Sequence, residues 1–224
     1  MDATFVLVPG AGGAAWYWHR VVGELEGRGR NAIAVDLPAG DGSAGLAEYT
    51  DVVVDAIGGR RRVVLVAQSM GGFTAPLVCQ RVPIELLILV NAMVPRPGET
   101  GEEWWTATGW KDEVGEVDMV EAFFHDVPED VRAVALSEEP PQSWTPFQEP
   151  WPLETWPEVR TRFVQGRDDR CFPLEFQRRV VRERLGIGLD EVPGGHLVAL
   201  SRPVELVDRL EALAREAGAG PQRI

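Results

Sequence analysis

The chain is short of the residues that metal, nucleic-acid and membrane chemistry require. It has two cysteines, Cys79 and Cys171, and three histidines, His19, His125 and His196. No CxxC pair or Cys/His cluster with ligand spacing occurs, so no metal site is expected. The two cysteines are expected as unpaired thiols in a reducing compartment. Positive charge is scarce: 22 Lys and Arg stand against 35 Asp and Glu, a formal net charge of −13. Phosphate binding needs clustered cations, so nucleic acid is not an expected partner, and neither is an anionic lipid surface. No apolar run approaches the ~20 residues that span a bilayer. The opening Met1-Asp2-Ala3-Thr4 lacks the positive region of a secretory signal. A soluble, cytoplasmic protein is the expectation, with oligomeric state, including a homodimer, left open.

What is present suits one compact domain. The 224 residues are 45% hydrophobic, enough to bury a core without a disulfide or metal staple. Six β-rich apolar segments follow one another: residues 4–8 (TFVLV), 30–37 (RNAIAVDL), 62–68 (RVVLVAQ), 84–90 (IELLILV), 159–165 and 187–192. The first four lack polar alternation, as strands covered on both faces do. Helical spacing fills the gaps. Leu46, Tyr49, Val53 and Ile57 share one stripe, Phe176 and Val180 follow Pro173, and Val207, Leu210 and Ala214 follow Pro203. This alternation predicts an α/β fold with a doubly wound, mostly parallel sheet of about six strands. Residues 218–224 read as a frayed tail.

One stretch breaks the rhythm. Residues 96–158 carry no convincing strand pattern, yet hold six of the eight tryptophans (Trp104, Trp105, Trp110, Trp144, Trp151, Trp156) and seven prolines from Pro128 to Pro157. A structureless loop of that length is improbable in a compact domain. The expectation is a small helical lid at 96–158, inserted in a core formed by 1–95 and 159–224. Its aromatic residues would wall a ligand pocket, with at least half of the tryptophans serving only to fasten the lid to the sheet.

The sharpest chemical signal is Ala67-Gln68-Ser69-Met70-Gly71-Gly72, set between an apolar strand and a helix-compatible stretch. A serine at a tight strand-to-helix turn is forced into strained backbone geometry, and small residues two positions either side let the turn close. The turn lifts the hydroxyl to the carboxyl end of the sheet, where open α/β folds bind ligands. The following helix start adds positive potential for a developing anion. A serine hydroxyl needs a base. His196, in Pro193-Gly194-Gly195-His196 between the last strand and last helix, is the candidate. His19 beside Trp16-Tyr17-Trp18 reads as packing or surface, and His125 in the lid as surface or pocket wall. The third member should be a carboxylate after the fifth strand, where Asp168 and Asp169 compete; Asp169 is preferred. The order Ser, Asp, His is the one this architecture imposes. Pro9-Gly10-Ala11-Gly12-Gly13, after the first strand, can present backbone amides to an oxyanion, and the Ala11 and Met70 N–H groups are the candidate pair. That loop fits neither the GxGxxG spacing nor a nucleotide-triphosphate loop.

These segments together resemble the α/β-hydrolase superfamily, and within it the compact group of plant methyl-ester esterases and hydroxynitrile lyases. The carrying residues are Val6-Leu7-Val8-Pro9-Gly10-Ala11, Trp16-Tyr17-Trp18, AQSMGG, residues 166–173 and Gly195-His196-Leu197 ahead of Pro203. The resemblance spans nearly the whole chain and is weakest across residues 96–158. It implies no cofactor and a small-molecule ester as substrate. Two departures are informative. Pro9 stands where the family's first loop usually has histidine, and Leu197 stands where hydroxynitrile lyases carry lysine, which disfavours lyase chemistry. The expected activity is that of a serine hydrolase cleaving a small to medium, largely apolar carboxylic ester. Carbon–carbon or thioester hydrolysis on the same triad, or a slow-turnover ligand-binding homologue, are the alternatives.

Overall fold

The computed structural model describes residues 3–137 and 141–218. Six strands form a single all-parallel sheet: β1 (Thr4–Val8), β2 (Asn31–Ala34), β3 (Val63–Gln68), β4 (Leu86–Val90), β5 (Thr161–Gly166) and β6 (Asp190–Val192), in the order β2-β1-β3-β4-β5-β6. The sheet and its strand count match the pattern of apolar runs. Strands β2 to β6 are shorter than those runs because pairing starts later or stops earlier, and β5 ends one residue past its run, at Gly166. Val35 and Leu37 stay buried but belong to the loop after β2. Of the expected tail, Gly218 is helical and 219–224 lie outside the described residues.

Helices cover both faces. On one side α1 (His19–Gly27), α10 (Val198–Ser201) and α11 (Pro203–Gly218) bury Val21, Leu25, Val198, Leu206, Val207, Leu210 and Leu213 against Phe5, Leu7, Val64 and Ile88. On the other, α2 (Leu46–Ile57), α3 (Gly71–Arg81) and α9 (Leu174–Leu185) set Tyr49, Val53, Ala75, Val78 and Val181 against Val6, Leu65, Leu87 and Phe163. The central strands are therefore apolar on both faces, as parallel sheets require.

Between β4 and β5 the described residues form short helices: α4 (Gly101–Ala107), α5 (Trp110–Val114), α6 (Met119–Phe124), α7 (Glu129–Ser137) and α8 (Thr145–Gln148). Trp104, Trp110, Phe147 and Trp151 pack into Met70, Phe73, Phe172 and Phe176. Three indole N–H groups reach core carbonyls: Trp104 donates to Val94, Trp110 to Cys171 and Trp151 to Phe73. A buried indole needs such a partner, and each one fastens this segment to the sheet. A buried Arg184–Glu99 ion pair, with Arg184 also donating to the Val94 carbonyl, fixes its base. No described helix is long and apolar enough to cross a membrane.

The chain reverses its winding between β1 and β3, so a crevice opens at their carboxyl ends. Glycines let the loops there approach. A methyl group on Gly72 would lie 1.9 Å from the Met93 carbonyl oxygen, and one on Gly71 2.8 Å from that of Pro9. Both obstacles are backbone and cannot rotate away. Overpacking of this kind costs about 1–3 kcal/mol or more. Gly72→Ala should therefore lower the thermal midpoint by several degrees and displace the turn at Ser69; a midpoint equal to wild type would show that α3 is not held against the β4 loop.

Candidate active site

Ser69 follows β3 with φ +52°, one of two non-glycine residues with positive φ among those described. The strain follows from reversing direction within two residues, since α3 begins at Gly71. Its backbone is tied on both sides to the end of β4: Ser69 N–H donates to the Val90 carbonyl (3.2 Å) and the Ser69 carbonyl accepts from Met93 N–H (2.9 Å). Non-glycine residues in this region persist only where the surroundings over-determine them.

His196 Nε2 lies 3.1 Å from Ser69 Oγ, and its Nδ1 lies 2.9 Å from Asp169 Oδ2. The carboxylate therefore fixes the ring with Nδ1 protonated and Nε2 free to accept from the hydroxyl. His196 and Asp169 are buried and Ser69 is half-buried. Asp169 Oδ1 accepts the N–H groups of Cys171 and Phe172, each at 2.8 Å, and Gln165 Nε2 stands 3.3 Å from Oδ2. With donors on both oxygens, the carboxylate cannot rotate away from the imidazole. The ring itself is stacked on Phe123 (centroids 4.9 Å apart) and meets the Phe172 edge at 5.0 Å.

Asp168 is exposed and turned away; its Oδ2 accepts from Gly194 N–H at 3.1 Å. It thus braces the histidine loop without reaching the ring. His19 is exposed, with its ring against Trp16. His125, expected at the surface or in a pocket wall, does not stand on the surface. It is half-buried, and its Nε2 faces the Cα of Gly195 beside Asp126, whose Oδ2 accepts from Gly195 N–H at 2.8 Å.

The first loop lies directly on the turn at Ser69: a methyl on Gly10 would come within 2.8 Å of the Ser69 Cβ. Among the described residues the Ala11 and Met70 N–H groups donate to no protein oxygen, whereas Gly12 N–H is taken by Gln142 Oε1 at 2.7 Å. A cavity of about 80 Å³ opens here, lined by Gly10, Ala11, Tyr17, Gln68, Ser69, Phe123, Phe124, His196 and Leu197. The aromatic residues of 96–158 that line it are Phe123 and Phe124 and not tryptophans. Trp104, Trp110 and Trp151 take the fastening role expected for at least half of the indoles. A larger apolar hollow of about 490 Å³ lies elsewhere, among Leu46, Leu77, Pro150 and Leu153. It holds no serine–histidine pair, so the smaller cavity is the candidate site.

The thiols are not rival nucleophiles. Cys79 and Cys171 are unpaired. Burial pushes the Cys79 pKa up to about 12 and holds that of Cys171 well above the ordinary thiol range, with the Asp169 charge adding to the latter. Thiolate, the reactive form, is therefore suppressed at neutral pH.

Sequence reasoning did not single out Asn91, Gln165, Asp126 or Phe123. The signal for the first two was a polar amide ending an otherwise apolar strand, as Gln68 also does.

Comparison with known proteins agrees with this architecture. A rice protein (Oryza sativa subsp. indica), "Probable esterase PIR7A", is 26% identical over 94% of this chain and 96% of its own length. "Putative methylesterase 14, chloroplastic" of Arabidopsis thaliana is 28% identical over 90% of this chain and 69% of its own. The crystal structure of polyneuridine aldehyde esterase superposes with a TM-score of 0.79 at 23% identity, covering 96% of this chain and 100% of the other. The family model described as "Alpha/beta hydrolase family" matches residues 5–209, and the chain belongs to that family.

Proposed function

We propose that this chain is a serine esterase that hydrolyses small carboxylic esters by two-step acyl transfer. The observation that carries the reading is the unbroken hydrogen-bonded relay from Ser69 Oγ through His196 to Asp169, beside two backbone amides without acceptors. The esterase names of its relatives agree with it.

In the first step Ser69 Oγ attacks the ester carbonyl as His196 Nε2 takes its proton. The carbonyl oxygen becomes an oxyanion held by Ala11 and Met70 N–H, the latter at the start of α3; losing one such donor raises the barrier by ~2.7–4 kcal/mol. His196 then returns the proton to the leaving alkoxide. In the second step water, deprotonated by His196, attacks the acyl-enzyme, and His196 returns that proton to Ser69 Oγ as the acid leaves. Asp169 keeps the imidazole in its working tautomer and stabilises the cation. The reaction needs no cofactor. Residues 96–158 act as a lid on the 1–95 and 159–224 core, with Phe123 and Phe124 closing over the nucleophile. Leu197 puts an aliphatic side chain, not a cation, at the cavity wall, which favours neutral ester groups over an anionic leaving group such as cyanide.

A fluorophosphonate probe should label wild type and not Ser69→Ala. The variant should lose about 10⁴–10⁶ in kcat on p-nitrophenyl acetate. Equal labelling of both proteins, or of neither, removes Ser69 from the mechanism. Prior treatment with iodoacetamide at pH 7.5 should leave the native rate intact, since both thiols stay protonated; both cysteines should alkylate once urea unfolds the chain.

Cavity size sets a further expectation. About 80 Å³ is well below the ~300–1,000 Å³ of sites that take drug-sized ligands. The ratio kcat/KM should therefore fall at least about tenfold from p-nitrophenyl acetate to the octanoate. Phe123→Ala should narrow that gap. A wild-type preference for octanoate would show that the lid does not restrict the acyl group.

A further inference from the structure

Asn91 is the first residue beyond β4, fully buried, and the other non-glycine residue with a left-handed backbone, at φ +44°. All three hydrogen-bonding positions of its carboxamide used here end on two different loops. Nδ2 donates to the carbonyls of Gly195 (3.0 Å) and His196 (2.9 Å), and Oδ1 accepts from Gly166 N–H (2.7 Å). Its own N–H donates to the Val164 carbonyl of β5 (3.0 Å). Gly166 opens the turn that presents Asp169 three residues later, while Gly195 and His196 belong to the loop that presents the base. The neighbours of Asn91 hold the third member, since Val90 and Met93 bond both polar backbone atoms of Ser69. All three loops of the relay therefore meet on residues 90–93.

We propose that Asn91 is a positioning residue, setting the acid and histidine loops in register so that one imidazole reaches Ser69 and Asp169 together. This rests on the catalytic reading given above. The carboxamide is suited to the task for three reasons. Asparagine tolerates positive φ better than other side chains. Only an amide offers two donors and an acceptor from one short stem. The loops it joins also nearly touch, so that a methyl on Gly166 would lie 2.5 Å from the Gly194 and 2.7 Å from the Gly195 carbonyl oxygens. The Gly195 and His196 carbonyls both converge on the single Asn91 amide nitrogen, which supplies the donor between them. The His196 carbonyl has one other donor, Gln68 Nε2 at 3.2 Å. Without the Asn91 amide, the Gly195 carbonyl and Gly166 N–H would be left unpaired in a dry site, which favours separation of the loops. A shift of about 1 Å in a reacting group can cost ~10²-fold in rate.

The test compares Asn91→Gly, Asn91→Asp and a control, Val53→Ala in α2, remote from the site. Glycine keeps the left-handed backbone and removes the carboxamide. Aspartate keeps the shape and the acceptor but turns an oxygen toward two carbonyls. For each, kcat and KM on p-nitrophenyl acetate, the second-order rate of fluorophosphonate labelling and the thermal midpoint are measured, with rates expressed per folded molecule. Asn91→Gly and Asn91→Asp should both lose about 10²-fold in kcat and in labelling rate, with KM changed less than about threefold. Val53→Ala should lower the midpoint and keep wild-type kcat. The proposal is overturned if either Asn91 variant keeps kcat within threefold of wild type, or if Val53→Ala loses kcat to the same extent at a matched midpoint. Should Asn91→Gly not fold, Asn91→Asp decides alone. Wild type that fails to label at Ser69 would instead refute the underlying serine mechanism, so the two failures are distinguishable.

Discussion

A serine held at φ +52° between a buried strand and a helix is the constraint from which the site is built. The strained turn pushes one hydroxyl out of the sheet, and everything around it must leave room. Ala67 is enclosed in the sheet, Gly71 and Gly72 press against carbonyls of neighbouring loops, and Gly10 lies on the serine itself. None of these positions tolerates a larger side chain without moving Ser69. The unusual backbone persists because Val90 and Met93 bond both polar backbone atoms of Ser69. Strain in one residue is thus balanced by the packing of four others.

The relay also depends on the ends of the three central strands. Gln68, Asn91 and Gln165 stand at or just past the carboxyl ends of β3, β4 and β5, and all are buried. Gln68 and Asn91 bond the His196 carbonyl, Asn91 also bonds Gly166, and Gln165 reaches Asp169 and the Phe172 carbonyl. In a low-dielectric interior such networks are strong when complete and costly when broken. Apolar strands supply stability for the domain, while a row of amides at their tips sets the geometry of the loops.

This division explains what could be read from the sequence. Strands β1 and β3 ended where TFVLV and VVLVAQ end, because burial on both faces leaves an unbroken apolar run. The elbow was legible because strain demands small residues at fixed spacing, and His196 because glycines flank it on one side. Asp169 and Asp168 were harder to separate. Adjacent carboxylates look alike in sequence, yet one points inward to the ring and the other bonds the Gly194 amide. Asn91 and Gln165 gave no periodic signal, since their roles lie in contacts 75 or more residues away or in a tight local turn. The fastening role expected for at least half of the tryptophans has a simple cause: a buried indole between β4 and β5 finds its partner in a core carbonyl, and that turns it away from the cavity.

The proposed mechanism asks the cavity to hold a charged imidazolium for as long as each tetrahedral intermediate lasts. Few water molecules fit in a space of about 80 Å³ walled by Tyr17, Phe123, Phe124 and Leu197. The cation must therefore be stabilised by what is already in place. Asp169 supplies the charge, held by donors on both oxygens so that it needs no rearrangement when the proton moves. Phe123 supplies a π face against the ring, an arrangement attractive to a cation and stronger where water is excluded. Phe123 comes from α6, and two residues beyond that helix Asp126 takes the Gly195 amide. The segment that walls the cavity thus also holds the loop carrying His196. Excluding water and positioning the imidazole are one structural event, because the same four-residue stretch of chain does both.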